Sequence, residues 1–377
     1  MSLSNQDLQK ALLRPLGRGR QEFEDLVVVP LIAVVIALLF GMVVMLATGV
    51  DIGTIGRAFV ALAKGAFGSL NAVSETLTAA IPVVLAGLGL GLGFRAGLFN
   101  IGAEGQILMG GLAAVIFGFS FDHLPFAILM PLTLIVAMLV GAAYAAIAGA
   151  LRALTGAHEV ISTIMLNLIS YRILDYALRQ PFVQKEGRSD PISKSVPDAA
   201  QLPKLLDWID PNLRLHAGLF LMLAMVLFVW WLLFRSKIGF AFRASGENPD
   251  AAKYAGMPSG LIIVLAMATA GGLAGLAGGA QVLGVLERAS PGFSAGLGFD
   301  AIAVALLGRS HPVGILFAGI LFGGLEAGGR QMQVDAGVSI DLIGIIQALI
   351  VVFIAAPLLV RAIFPWGFRK DGKGAAE

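Results

Sequence analysis

The chain has 377 residues, of which 58% are hydrophobic and only 13% charged, and its mean hydropathy is +0.87. A soluble domain carries about 25% charge, so a water-soluble globule is excluded and a polytopic membrane protein is expected. The absence of cysteine excludes disulfides and thiolate metal sites, and the net charge of +2 matters less than where the charges fall.

Residues 1–25 form a polar arm with Lys10, Arg14, Arg18 and Arg20. The first apolar run, Leu26–Thr48, is too long for a secretory signal and reads as an uncleaved span. A bilayer core of about 30 Å needs about 20 apolar residues per helix. On that measure spans are predicted at roughly 26–48, 76–94, 104–121, 125–150, 159–178, 216–234, 260–286, 298–308, 312–330 and 341–360. The eighth is too short to cross comfortably and reads as a half-helix. Residues 51–75, with Asp51, Arg57, Lys64 and Glu75, read as an interfacial helix on the outer face. The expected fold is all-α, a transmembrane domain over 26–360 with about ten helices and a tail over 361–377.

Basic residues fix the orientation. The arm, Arg95, Arg152, the basic residues of 235–259, Arg309 and the tail from Arg361 onward fall on one side. On the other side most lie in the loop 179–214, diluted by Glu186, Asp190, Asp198, Asp207 and Asp210. Both termini are therefore expected in the cytoplasm. The loop 179–214 is then extracytoplasmic, and its segment Leu202–Trp208 is either a lid or a connector resting on the headgroups.

The chain is organised around Ala86–Gly111, where a Gly/Leu alternation runs into Phe94-Arg-Ala-Gly-Leu-Phe-Asn100 and Glu104-Gly-Gln106 before turning apolar again. Such a polar break is costly in lipid unless protein or a water-filled cavity surrounds it, and transporters place substrate paths at such breaks. Gly87–Gly93 lacks the spacing and the strand–helix setting of a dinucleotide fingerprint. Gly271, Gly275 and Gly279, Gly319 with Gly323, and Gly324 with Gly328 mark close helix packing.

Within the cytoplasmic loop 235–259, Asn248 is a suitable N-cap, Pro249 suits the first helical position and Asp250 favours the positive end of the helix dipole. Gly256 suits a left-handed C′ position and Pro258 stops continuation. A two-turn helix this short is marginal alone and needs a surface to dock on.

The stretch Arg243-Ala-Ser-Gly-Glu-Asn-Pro-Asp-Ala-Ala-Lys-Tyr-Ala-Gly256 resembles the cytoplasmic coupling motif of permease subunits in bacterial binding-protein-dependent ABC importers. Phe99-Asn-Ile-Gly-Ala-Glu-Gly-Gln106, His158-Glu-Val-Ile-Ser-Thr-Ile-Met-Leu-Asn167 and Gly298-Phe-Asp-Ala-Ile-Ala-Val-Ala-Leu-Leu-Gly308 narrow the resemblance to the nucleoside and simple-sugar branch, which usually has Asn in place of His158. The resemblance implies a second permease subunit, an ATPase subunit that uses ATP and Mg, an extracytoplasmic substrate-binding protein and a bacterial inner membrane as partners, and no nucleic acid. Arg243, Gly246, Asn248, Pro249, Ala251, Ala252 and Gly256 would couple to the ATPase. No G-x-x-x-x-G-K-[ST] loop is present, so ATP is expected to be hydrolysed on another chain and no cofactor is expected in this one.

No Ser/His/Asp or Cys/His arrangement is legible, so no catalytic residues are assigned. The scattered histidines His123, His158, His216 and His311 have no metal-ligand spacing. Arg172 and Asp175, three apart, are expected to pair, whereas Glu104, Asp300 and Glu326 have no such partner in sequence. Phe94–Asn100 recurs with one inserted Gly as Phe293–Asp300. This predicts two inverted five-helix halves whose broken segments meet around the substrate. Phe99 and Phe299 would stack on a flat base, and Asn100, Glu104, Gln106, Asn167 and Asp300 would supply hydrogen bonds along the pathway. A nucleoside is the expected substrate, with a ribose-like sugar as the alternative. A secondary transporter using Glu104 or Asp300 as an ion site is a further rival.

Overall fold

The computed structural model describes residues 29–355. The predicted arm 1–25 and tail 361–377 lie outside the described residues, as do the far ends of the first and last predicted spans. The helices run in order α1 (Val29–Ala47), α2 (Ile52–Phe67), α3 (Leu70–Arg95), α4 (Ala103–Ser120), α5 (Phe126–Thr155), α6 (Glu159–Leu178) and α7 (Gly218–Arg235). They continue as α8 (Lys237–Glu247), α9 (Pro249–Tyr254), α10 (Ser259–Gln281), α11 (Leu297–Leu307), α12 (Pro312–Ala336) and α13 (Asp341–Ala355). A π-helical turn, Val282–Leu286, extends α10. Among the described residues there is no strand, only isolated bridges such as Gln184↔Ser193.

Every predicted apolar stretch lies on a helix. Among the described residues, six helices are long and apolar enough to cross a membrane: α3, α4, α5, α7, α10 with its π turn, and α12. α6 has the length but carries Glu159, Arg172 and Asp175. α3 begins at Leu70, six residues before the predicted span, because Ser69 caps it by accepting from the Ala72 amide at 3.1 Å. α11 is as short as predicted, with 11 residues.

The chain divides into two units. In the unit that holds the described residues 29–55 and 341–355, α1 packs against α13, and Gly41 admits the Ile346 side chain. In the unit Gly56–Ile340, α10 is the central element and packs against α3, α4 and α5. Its glycines are the reason. A side chain at Gly275 would collide with the Ala137 carbonyl and Gly141, one at Gly271 with Ala145, and one at Gly278 with the Ile107 carbonyl. Small residues thus bring backbones together, as van der Waals packing inside a membrane requires. Gly319 and Gly323 seat α12 on Val84 and Ala80 of α3 in the same way.

α3 is mostly buried, whereas α5 and α7 leave apolar side chains such as Leu139, Phe220 and Leu227 exposed. A soluble protein seldom shows so extensive an apolar surface, and lipid is the solvent that accommodates it.

Candidate translocation site and coupling surface

The polar break comprises Ala96–Gly102, between α3 and α4. Gly97 turns the chain in the left-handed region (φ 71°); the Leu98 amide still returns to the Gly93 carbonyl at 2.9 Å, but the amides of Phe99 and Ile101 have no helical partner. α6 supplies the acceptors. Glu159 Oε1 accepts from the Phe99 amide at 3.3 Å, Thr163 Oγ1 from Ile101 at 3.2 Å and Asn167 Oδ1 from Gly105 at 2.9 Å. Asn167 Nδ2 also donates to the Ile101 carbonyl at 2.9 Å. Residues 159, 163 and 167 recur every four positions, so one face of α6 satisfies an irregular backbone segment that lipid could not. The carboxylate of Glu159 is itself neutralised by Arg152. His158 caps α6, its Nδ1 accepting from the Val160 amide at 3.4 Å, a role Asn would fill equally. Inside the break, Asn100 and Gln106 bond each other (3.1 and 3.2 Å), and Asn100 Oδ1 accepts from Gly102 at 2.8 Å.

The second copy of the motif turns at Gly296 (φ 85°) and opens into α11. Its matched glycine therefore shares the left-handed conformation of Gly97, and Glu104, just past the first copy, reaches the second. Glu104, at the start of α4, accepts at Oε2 from the Gly298 amide (2.8 Å) and at Oε1 from Gly296 (3.3 Å), Tyr171 Oη (3.1 Å) and Ser294 Oγ. A carboxylate on the first amides of α11 complements that helix's dipole. The Gly298 position has no room for a side chain against the Glu104 backbone.

The predicted pathway residues thus fall into two groups. Asn100, Glu104, Gln106 and Asn167 are buried, and their hydrogen bonds hold the break. Phe99, Phe299 and Asp300 remain accessible. Phe99 stacks on Phe94 with ring centroids 5.0 Å apart, whereas Phe299 is 49% exposed. The Asp300 carboxylate has no hydrogen-bond or ion-pair partner among the described residues.

The expected Arg172–Asp175 pair does not form. Asp175 pairs instead with Arg179 at 3.2 Å, one turn on, at the end of α6. Arg172 is exposed beside Tyr171 and Tyr176. Glu326 does have a sequence neighbour, Arg330, four residues on at 2.8 Å. Arg330 also reaches Glu75 (3.2 Å), which is bound in turn by Arg214 of the long loop. These four charges line a cavity of about 80 Å³ between α3, α12 and the π turn. Glu326–Arg330 was readable as an i,i+4 pair, but Glu75–Arg214 has no local signal.

The loop 179–214 is strapped to the end of α10. Leu202 donates to Leu283 O (3.0 Å), Val196 to Glu287 O (2.8 Å) and Ser193 to Ala289 O (3.0 Å). The π turn leaves carbonyls without helical partners, and this loop bonds one of them.

On the side of Arg95 and Ser310, Ser236 breaks α7 from α8 and caps the latter, accepting from Gly239 at 2.9 Å. The α8 helix was not foreseen. α9 is the two-turn helix expected from its ends: Asn248 Oδ1 accepts from Ala251 (3.0 Å), and Gly256 is left-handed (φ 80°). The amides of Gly256 and Met257 return to Lys253 O and Ala252 O at 3.0 and 3.1 Å, a Schellman closure. Its alanines divide, with Ala252 buried and Ala251 exposed beside the outward Tyr254. Gly246 lies against the Arg95 carbonyl and Gly97, so α8 touches the break backbone to backbone. Arg243 lies beneath, over the Phe234 ring.

Residues 72–356 match the family described as branched-chain amino acid transport system / permease component. The chain is 38% identical over 334 residues to the guanosine ABC transporter permease protein NupP of Bacillus subtilis, covering 88% of this chain and 94% of that one. It is 34% identical over 344 residues to the nucleoside ABC transporter permease protein NupB of Lactococcus lactis, covering 90% and 93%. It is 35% identical over 332 residues to the glucose ABC transporter permease protein TsgB13 of Haloferax volcanii, covering 86% of each. No solved structure matches significantly. With lipid-facing helices, a satisfied polar break and matches across most of its length, the chain belongs to the permease components of this transport-system family.

Proposed function

We propose that this chain is the transmembrane subunit of an importer that carries nucleosides across a bacterial inner membrane by alternating access. ATP is hydrolysed on a separate ATPase subunit, and an extracytoplasmic binding protein and a second permease subunit complete the assembly. Ten helices cross the bilayer in two inverted halves, with both termini cytoplasmic. The solute passes along the accessible side of α11 at Phe299 and Asp300, with Phe99 nearer the cytoplasmic end. Asn100, Glu104, Gln106 and Asn167 frame that path. The observation that carries the substrate class is the pairing of an exposed aromatic ring, Phe299, with the adjacent carboxylate of Asp300, which has no partner of its own. A nucleoside supplies both a flat base to stack, typically contributing about 1–3 kcal/mol, and hydroxyl or amine donors for the carboxylate. The guanosine and nucleoside permeases among the relatives support the same choice.

α8 and α9 form the coupling surface, presenting Ala251, Pro249 and Tyr254 to the ATPase and transmitting its movement through Gly246 to Gly97. The test is uptake by the complex reconstituted with its cognate binding protein. Radiolabelled guanosine or uridine should accumulate only with ATP, and unlabelled nucleosides but not glucose should compete. Accumulation of glucose without competition by nucleosides would overturn the substrate class.

A further inference from the structure

A pocket of about 490 Å³ opens beside α8, away from the Phe299–Asp300 path. Arg95, Arg243 and Arg309 line it together with Phe240, Ser310 and Glu247. The three guanidiniums come from distant parts of the chain, and Glu247 is the one acid among the described lining residues. Local structure holds the arginines in place. Arg95 and Arg243 both lie over the Phe234 ring, 5.7 and 5.4 Å from its centroid. Arg95 Nε donates to the Ser310 carbonyl at 3.1 Å. Arg309 and Ser310 are both left-handed (φ 51° and 52°), an uncommon conformation for such residues that sets the turn between α11 and α12 at the pocket wall.

Glu247 does not neutralise these arginines. Arg243 Nε is buried without a hydrogen-bond partner, and neither Arg243 nor Arg309 has an ion-pair partner among the described residues. Stacking occupies the flat face of a guanidinium and leaves its N–H edge free for an anion. Three guanidiniums on one pocket match the oxygens of a phosphate better than they match one another. The setting indicates the depth at which that group would be met. Ile238 and Phe240 on α8 are 52% and 55% exposed, and Arg235 stacks over Trp230 at the end of α7. Apolar and aromatic side chains beside arginines at a helix end mark the headgroup layer, where basic pockets between transmembrane helices hold anionic headgroups.

We propose that Arg95, Arg243 and Arg309 form a binding site for a phosphate group at the cytoplasmic membrane boundary, distinct from the transport path and beyond the transport function itself. The group is either a phospholipid headgroup or free phosphate.

The full-length permease, delipidated in detergent, is titrated with phosphatidylglycerol or with diacylglycerol of the same acyl chains, and retention is read by native mass spectrometry. Phosphatidylglycerol should bind at least about tenfold more tightly, and Arg243→Gln and Arg309→Gln should each remove about tenfold of that preference. Arg309 is exposed, so its variant keeps the test valid if Arg243→Gln fails to fold. Inorganic phosphate that displaces the lipid and raises the melting temperature of the wild type but not of Arg309→Gln assigns the site to the free anion. Phosphate without effect assigns it to the headgroup. Equal retention of the two lipids together with no response to phosphate would overturn the proposal. So would variants that lose only co-purification with the ATPase while keeping the lipid preference, since the pocket would then receive a protein carboxylate.

Discussion

Asn167 and Asp300 are both polar residues within apolar helices, and their hydrogen-bonding capacity is used differently. Asn167 donates to Ile101 and accepts from Gly105, satisfying a carbonyl of the break and an amide in the first turn of α4, whereas Asp300 has no side-chain partner among the described residues. Each buried group left unsatisfied costs about 1–3 kcal/mol, so Asn167→Leu, which orphans two, should lose roughly 2–6 kcal/mol and lower the melting temperature of the purified subunit. Asp300→Leu removes no hydrogen bond and should leave the melting temperature nearly unchanged while nucleoside uptake is lost. Equal thermal losses in both variants, or full uptake by Asp300→Leu, would refute this division. The two roles were only partly legible in the sequence. The four-residue spacing of Glu159, Thr163 and Asn167 was available as a polar stripe on one helix face. That Glu104 caps α11 was not, because its partners Ser294, Gly296 and Gly298 lie 190 or more positions away and are fixed only by packing. Arg172 and Asp175 show the opposite failure: local spacing permitted a pair, but Asp175 pairs one turn on with Arg179.

At the scale of elements, α9 was the most readable part of the chain because capping chemistry is local. Asn248, Pro249 and Gly256 determine its ends regardless of what surrounds it. Which alanine faces outward was not readable, since six residues do not define an amphipathic face, and α8 escaped notice because Gly239 and Gly246 weaken its helical signal. Those glycines instead permit contact, Gly239 against the Leu232 carbonyl and Gly246 against that of Arg95. The exposure difference between Ala251 and Ala252 separates docking from folding. Ala251→Glu should leave the subunit inserted and thermally stable but cut substrate-stimulated ATP hydrolysis by about tenfold or more, a loss of about 1.4 kcal/mol in coupling. Ala252→Glu forces a charge under α9 and should instead destabilise the helix, detected as faster proteolysis within 248–257. Normal stimulated hydrolysis in Ala251→Glu would make α9 a connector. The packing glycines of α10 and α12 were also legible from their spacing, although not their partners: Gly275 meets Gly141 of α5 and Gly110 of α4 at once.

For the whole molecule, the proposed orientation rests on the distribution of basic residues, and it can be tested against the way the unit Gly56–Ile340 is built. Near one end of α3, Arg95 bonds Ser310, and Gly97 abuts Gly246 of the proposed coupling segment. Near its other end, Glu75 joins Arg214 of the long loop and Arg330 of α12. The two ends of α3 therefore collect two separate sets of loops, the sets the charge distribution assigns to cytoplasm and exterior. α10 runs antiparallel to α3, its Ala270 against Gly89 and its Gln281 near Pro82. Absence of cysteine makes labelling direct, but positions must be chosen for exposure. Ser193 and Ser245 lie in the two long polar segments but are both buried, and Ser193 also bonds Ala289. Ser189 and Tyr254 are exposed, the latter at 93%. In intact spheroplasts Ser189→Cys should react fully with a membrane-impermeant maleimide and Tyr254→Cys should not, whereas inverted vesicles should reverse the pattern. Labelling of Tyr254→Cys in sealed spheroplasts would put the coupling segment outside the cell, beyond the reach of any cytoplasmic ATPase, and would invert every assignment of inside and outside made from the charges.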